Sequence, residues 1–159
     1  MIILTYDVIA HRNKEIGASQ PRKEGRRLWN VLYTAYGGRI SLIVDNALKY
    51  EEPVVSEWLK REQFKVSVVD FTDLSGADNK LDRIRLLQSM FQRVDWYVDT
   101  DPLTIAKTLK EGIPSLLMAV PNTIRPEWEQ EHETTKWSEL TKELDKQALK
   151  KAERSWDEK

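Results

Sequence analysis

The sequence predicts a three-layer α/β domain built on a five-stranded parallel sheet, followed by a C-terminal helical tail. Three observations carry this reading: five short β-prone apolar runs, helical-period segments between them in strict alternation, and strands that lack polar alternation and so read as covered on both faces. Ile2 to Tyr6 is the first such run. From Ala10 to Gly25 the chain turns polar, and reads as a long loop at the end of that strand. Leu28, Val31, Leu32 and Ala35 then recur at helical spacing, and Gly37-Gly38 supplies a stop, which predicts a first crossover helix over about 24–36.

The alternation continues along the chain. Ile40 to Val44 is the second strand, a helix opened by Pro53 carries Val54, Val55, Trp58 and Leu59, and Val66 to Phe71 is the third strand. A helix over about 78–92 presents Leu81, Ile84, Leu87 and Phe91 on one face, with Asp78 as its expected N-cap. Trp96 to Val98 is the fourth strand, Pro102 opens a helix with Ile105, Ala106 and Leu109 inward, and Ser115 to Val120 is the fifth. Beyond Pro121 a charged helix is expected over 136–157, packing back through Trp137, Leu140, Leu144, Ala148 and Ala152. This divides the chain into an α/β core at 1–122 and a tail at 123–159.

Composition narrows the function classes. Twenty-five Lys and Arg against 26 Asp and Glu leave a net charge of −1, which supplies no long-range field toward nucleic acid or anionic membrane. The absence of cysteine excludes disulfides and thiolate chemistry. The apolar N-terminal run breaks at Asp7, so neither a secretory leader nor a membrane span is expected, and a cytoplasmic setting is.

In an open parallel sheet, ligands bind at the carboxyl ends of strands. Asp7, Asp45, Asp70, Asp73, Asp99 and Asp101 all fall at such ends and predict an acidic rim. Carboxylates forced together repel unless a cation neutralises them, and hard oxygen donors suit Mg²⁺. Any single Asp there is more simply explained as a turn or capping residue. Arg12, Lys14, Arg22, Lys23, Arg26 and Arg27 gather positive charge just after the first strand, suited to a phosphorylated ligand or to a solvated loop. Gly37-Gly38 precedes a strand and is therefore no nucleotide-binding fingerprint.

The segment Asp78-Asn79-Lys80-Leu81, then Val94-Asp95-Trp96-Tyr97-Val98-Asp99-Thr100-Asp101-Pro102 and Glu111-Gly112-Ile113-Pro114, resembles the third and fourth motifs of the haloacid dehalogenase-like (HAD) superfamily, whose core is Rossmann-like. The resemblance covers about residues 1–122 and is most specific over 78–121. It implies a minimal capless member in which Asp7 is the nucleophile and Lys80 the charge-balancing lysine. Mg²⁺ would be held by Asp7, the Ile9 backbone carbonyl, and Asp99 or Asp101. Asp45, Asn46, His11 and Arg12 would face the substrate, and His11 would stand in as a base. The sequence departs from the family at Ile9, where a second aspartate belongs, and at Asp45-Asn46, where a phosphate-holding Ser or Thr belongs.

Two function classes follow from the resemblance. One is a Mg²⁺-dependent phosphatase or nucleotidase acting through an aspartyl-phosphate on a phosphorylated small molecule or nucleic-acid end, impaired by Ile9. The other is a catalytically inactive HAD-like fold serving as a binding or regulatory module, with a protein partner on the C-terminal tail. A receiver-like domain is a third reading, but its acidic pair should follow strand one and its Lys strand five, and neither is found.

Overall fold

The computed structural model describes residues 1–12, 19–91, 93–119 and 131–157, with the side chains of 131–136 and 151–157 left aside. The main sheet is made by β1 (Ile2–Thr5), β4 (Ile40–Val44), β5 (Val68–Phe71), β6 (Trp96–Asp99) and β7 (Ser115–Leu117). All four pairings are parallel, and the order is β5-β4-β1-β6-β7. Beside it lie α1 (Tyr6–Ile9), α2 (Lys23–Ala35), α3 (Glu52–Arg61), α4 (Ala77–Phe91), α5 (Pro102–Lys110) and α6 (Glu131–Asp157). The fold is a three-layer, Rossmann-like α/β domain. One sheet face packs Trp29 and Leu32 of α2 and Val55, Trp58 and Leu59 of α3 against Ile2, Leu4, Ile40, Leu42 and Val44. The other packs Ile84 and Leu87 of α4, Ile105 and Ala106 of α5 and Leu140 of α6 against Ile3, Ile43 and Tyr97. Central strands buried from both sides explain why β1 and β4 are largely apolar and show no in-out polar alternation.

The polar stretch after β1 is more ordered than a loop. Tyr6 to Ile9 form one helical turn, and Ala10–His11 (β2) pairs antiparallel with Gln20–Pro21 (β3). Gly25 explains how α2 enters so close to that turn: a Cβ there would lie 2.0 Å from the Val8 carbonyl oxygen. Only glycine permits the approach, which brings Arg22 beside Asp7.

Two element expectations need correction. Asp78 lies inside α4 rather than capping it, and its carboxylate pairs with Lys107 of α5. Among the described side chains of α6, Leu140 and Glu143 are buried and Gln147 is half-buried, whereas Trp137, Leu144 and Ala148 are exposed. The rotation is fixed by polar bonds: Gln147 Nε2 donates to the Leu109 carbonyl at 3.0 Å and to Glu143 Oε1 at 2.9 Å. Leu109 is in the last turn of α5, where its carbonyl also accepts the Gly112 amide at 3.0 Å, so Gln147 adds a second donor to it. Trp96 is half-buried, and Trp29 and Trp58 are core residues as expected. Lys14, Trp128, the 122/123 boundary and the side chains of Ala152 and Trp156 lie outside the described residues. No described helix is long and apolar enough to cross a membrane.

Candidate functional site

The strand order reverses direction at β1: the chain moves outward through β4 to β5, then returns to the other side of β1 for β6 and β7. The crevice at the carboxyl ends of β1 and β6 is therefore the switch point at which such sheets bind ligands. Thr5 ends β1 and Asp99 ends β6, and Thr5 Oγ1 donates to Asp99 Oδ1 at 3.0 Å.

Asp99 is 0 % exposed and engages five donors. Besides Thr5, the amides of Thr100 (2.7 Å) and Asp101 (3.2 Å) donate to Oδ1. Lys80 Nζ (3.0 Å) and the Tyr97 hydroxyl (2.7 Å) donate to Oδ2. A carboxylate has about four lone-pair sites, so Asp99 is saturated by the protein. Burial and the neighbouring Asp99 push the Tyr97 hydroxyl far above its ordinary pKa, so it stays protonated and donates. Lys80, 5 % exposed, reaches Asp99 from the first turn of α4. Burial alone would lower its pKa, but Asp99, Asp45 and Asp101 together outweigh it and hold the ammonium above its ordinary value.

Asp7 sits in the turn α1, just beyond β1. Arg12 Nε donates to its Oδ1 at 2.9 Å, and Arg22 Nε donates to its backbone carbonyl at 2.7 Å. Burial raises the Asp7 pKa, helped by Asp45 and Asp99 and opposed by Arg12 and Lys80. Arg12 also reaches the end of β4: NH1 donates to the Asp45 carbonyl at 2.6 Å and NH2 to Asp45 Oδ1 at 2.7 Å. Its guanidinium lies over the Tyr6 ring at 5.4 Å. The result is one electrostatic network made of two separate ion-paired groups, Asp7–Arg12–Asp45 and Asp99–Lys80, which feel one another's charge.

The remaining candidates stand apart from that network or at its edge. Asp101 is the N-cap of α5, accepting from the Leu103 amide at 3.3 Å and from Thr104 Oγ1 at 2.7 Å. The Ile9 carbonyl accepts the Arg22 amide at 2.8 Å, and Ile9 is buried. His11 is exposed on β2. Asn46 is exposed with φ of 51°, its amide bonded to the Leu74 carbonyl at 2.9 Å. Asp70 is taken by the fork of Arg83, and Asp73 points to solvent, so the acidic rim contracts to the β1, β4 and β6 ends. Arg26 lies over Phe64 at 4.4 Å and pairs with Glu62 at 3.6 Å, whereas Lys23 and Arg27 are exposed.

Sequence reasoning missed Thr5 and Tyr97. Tyr97 was within reach: residues two apart on a strand share a face, so it stands beside Asp99. Thr5 became visible only with the β1–β6 pairing.

The donor set does not fit Mg²⁺. Asp99 is saturated, the Ile9 carbonyl is bonded to backbone, Asp101 caps a helix, and Asp7 and Asp45 share a guanidinium. No group of three or more His, Asp or Glu among the described residues is arranged to hold a metal ion. Compared with protein families, curated proteins and solved structures, the chain matches none.

Proposed function

We propose that the chain is a degenerate HAD-like domain that works as a binding or regulatory module rather than as a turnover enzyme. The observation that supports this best is the saturation of Asp99 by five protein donors. Ile9 in place of a second acid removes a positioned general acid/base as well, a loss of about 10²–10⁴-fold in a typical enzyme. The outer face of α6 supports a working surface elsewhere, because Trp137 and Leu144 are about half exposed at 45 % and 50 %.

A second reading, a slow phosphohydrolase, is favoured by one feature of Asp7. Its side chain keeps 29 % exposure at the switch point, and among the described residues Arg12 bonds only its Oδ1. Oδ2 could attack phosphorus, forming an aspartyl-phosphate as the bond to the leaving alcohol breaks; water would then release phosphate and restore the carboxylate. Hydrolysis of an aryl phosphate, with and without millimolar Mg²⁺, decides between the two. The module reading expects no turnover above Asp7→Asn. Turnover abolished by that substitution would make the phosphohydrolase reading the correct one.

A further inference from the structure

Among the described residues, Arg12 is the one side chain seen to bond both Asp7 and Asp45. It leaves β2, passes over Tyr6, and spends all three guanidinium nitrogens on the ends of two different strands: Nε on Asp7 Oδ1, NH1 on the Asp45 carbonyl and NH2 on Asp45 Oδ1, at 2.9, 2.6 and 2.7 Å. Carboxylates gathered in a partly buried crevice need a counter-charge, and a hard divalent ion would meet that need with the same oxygens. Here the need is already met. The side chains of Arg12, Asp7 and Asp45 are 24 %, 29 % and 10 % exposed, so the fork is partly shielded from water and its geometry is defined at three points.

We propose that Arg12 is the built-in counter-cation of Asp7 and Asp45: its guanidinium occupies the place that a divalent ion bridging these two carboxylates would need, and thereby weakens metal binding there. The inference rests on the same carboxylate network as the module reading but does not depend on whether the chain turns over substrate. Arg12 is thus a positioning residue. It ties the turn after β1 to the end of β4 and fixes one oxygen of Asp7, while Lys80 does the equivalent for Asp99 from the other sheet face.

The test is Mn²⁺ binding, followed by the electron paramagnetic resonance signal of the free ion, on the full chain. Wild type is expected to bind Mn²⁺ weakly at this site. Arg12→Gln leaves two carboxylates without their cation and is expected to bind at least about tenfold tighter. Arg12→Gln/Asp45→Asn is expected to lose that gain, which separates filling of this site from general charge attraction. Arg12→Lys keeps the charge but not the fork, and should fall between wild type and Arg12→Gln; it also provides the readout if Arg12→Gln does not fold. Folded Arg12→Gln binding Mn²⁺ no tighter than wild type, or a gain that survives Asp45→Asn, overturns the proposal. So does Arg12→Lys binding no tighter than wild type where it is the only folded variant. Phosphate-ester turnover lost in Asp7→Asn would overturn the module reading and leave the role of Arg12 to this binding measurement.

Discussion

At the scale of single residues, the site is governed by how each charge is compensated. Asp99 is fully buried and Lys80 nearly so; removing one partner strands the other in a medium that does not solvate it. Lys80→Met is therefore expected to destabilise the fold by about 3–5 kcal/mol, measured by urea unfolding, and Lys80→Met/Asp99→Asn should recover a large part of that loss. Equal losses in the single and double variants would show that Lys80 stabilises by packing alone. Asp7 behaves oppositely. Burial raises its folded pKa above 3.8, so the folded state holds the proton more tightly than the unfolded chain does. The penalty is absent below the unfolded value, sets in as pH rises through it, and is complete above the raised folded value. Asp7→Asn should then stabilise at pH 7, with the gain fading as the pH drops toward 4. A gain that is constant with pH would assign the effect to something other than this carboxyl.

Elements were legible in the sequence where one local signal decided them, and illegible where a distant partner did. Prolines at 53 and 102 marked helix starts, and Gly37-Gly38 marked a stop, because φ restriction and φ freedom act within a residue or two. The short pairing of β2 with β3 was hidden, since two-residue strands carry no periodicity to detect. Likewise the Asp at each strand end was legible, but not that Arg12 would join Asp7 to Asp45, which lies 33 residues beyond that arginine. Helix α6 is the instructive failure. Its apolar stripe at 137, 140, 144 and 148 suggested the buried face, yet Gln147 and Glu143 turn the helix so that only Leu140 of that set is buried. Leu140→Ala should accordingly cost about 2–5 kcal/mol in thermal or urea unfolding, and Leu144→Ala less than about 0.5. The reverse order would mean that the stripe, not the polar pair, sets the rotation. Gly25→Ala acts at the same scale. A methyl 2.0 Å from the Val8 oxygen must push α2 away from α1, a strain of about 1–3 kcal/mol that also draws Arg22 off the Asp7 carbonyl.

For the whole molecule, the decisive question is whether the crevice between β1 and β6 is stabilised by something bound or by the chain itself. The β5-β4-β1-β6-β7 order puts the strand-end acids of β1, β4 and β6 side by side, an arrangement that would be self-repelling without cations. Two cations come from opposite layers: Arg12 from just after β2, next to the α2–α3 face, and Lys80 from α4 on the other face. Closing the site from both sides couples the layers, and makes the compensation part of folding rather than of ligand binding. A ligand that binds only the folded state raises its stability in proportion to the logarithm of ligand concentration over Kd. If a divalent ion held the crevice, stripping it with EDTA would lower the Tm, and restoring millimolar Mg²⁺ would raise it. With Arg12 and Lys80 in place, Tm in a calorimetric scan should be the same with EDTA as with 5 mM Mg²⁺, to within about 1 °C, whereas a metal held at about 100-fold its Kd would contribute roughly 2.7 kcal/mol, a shift of several degrees for a chain of this size.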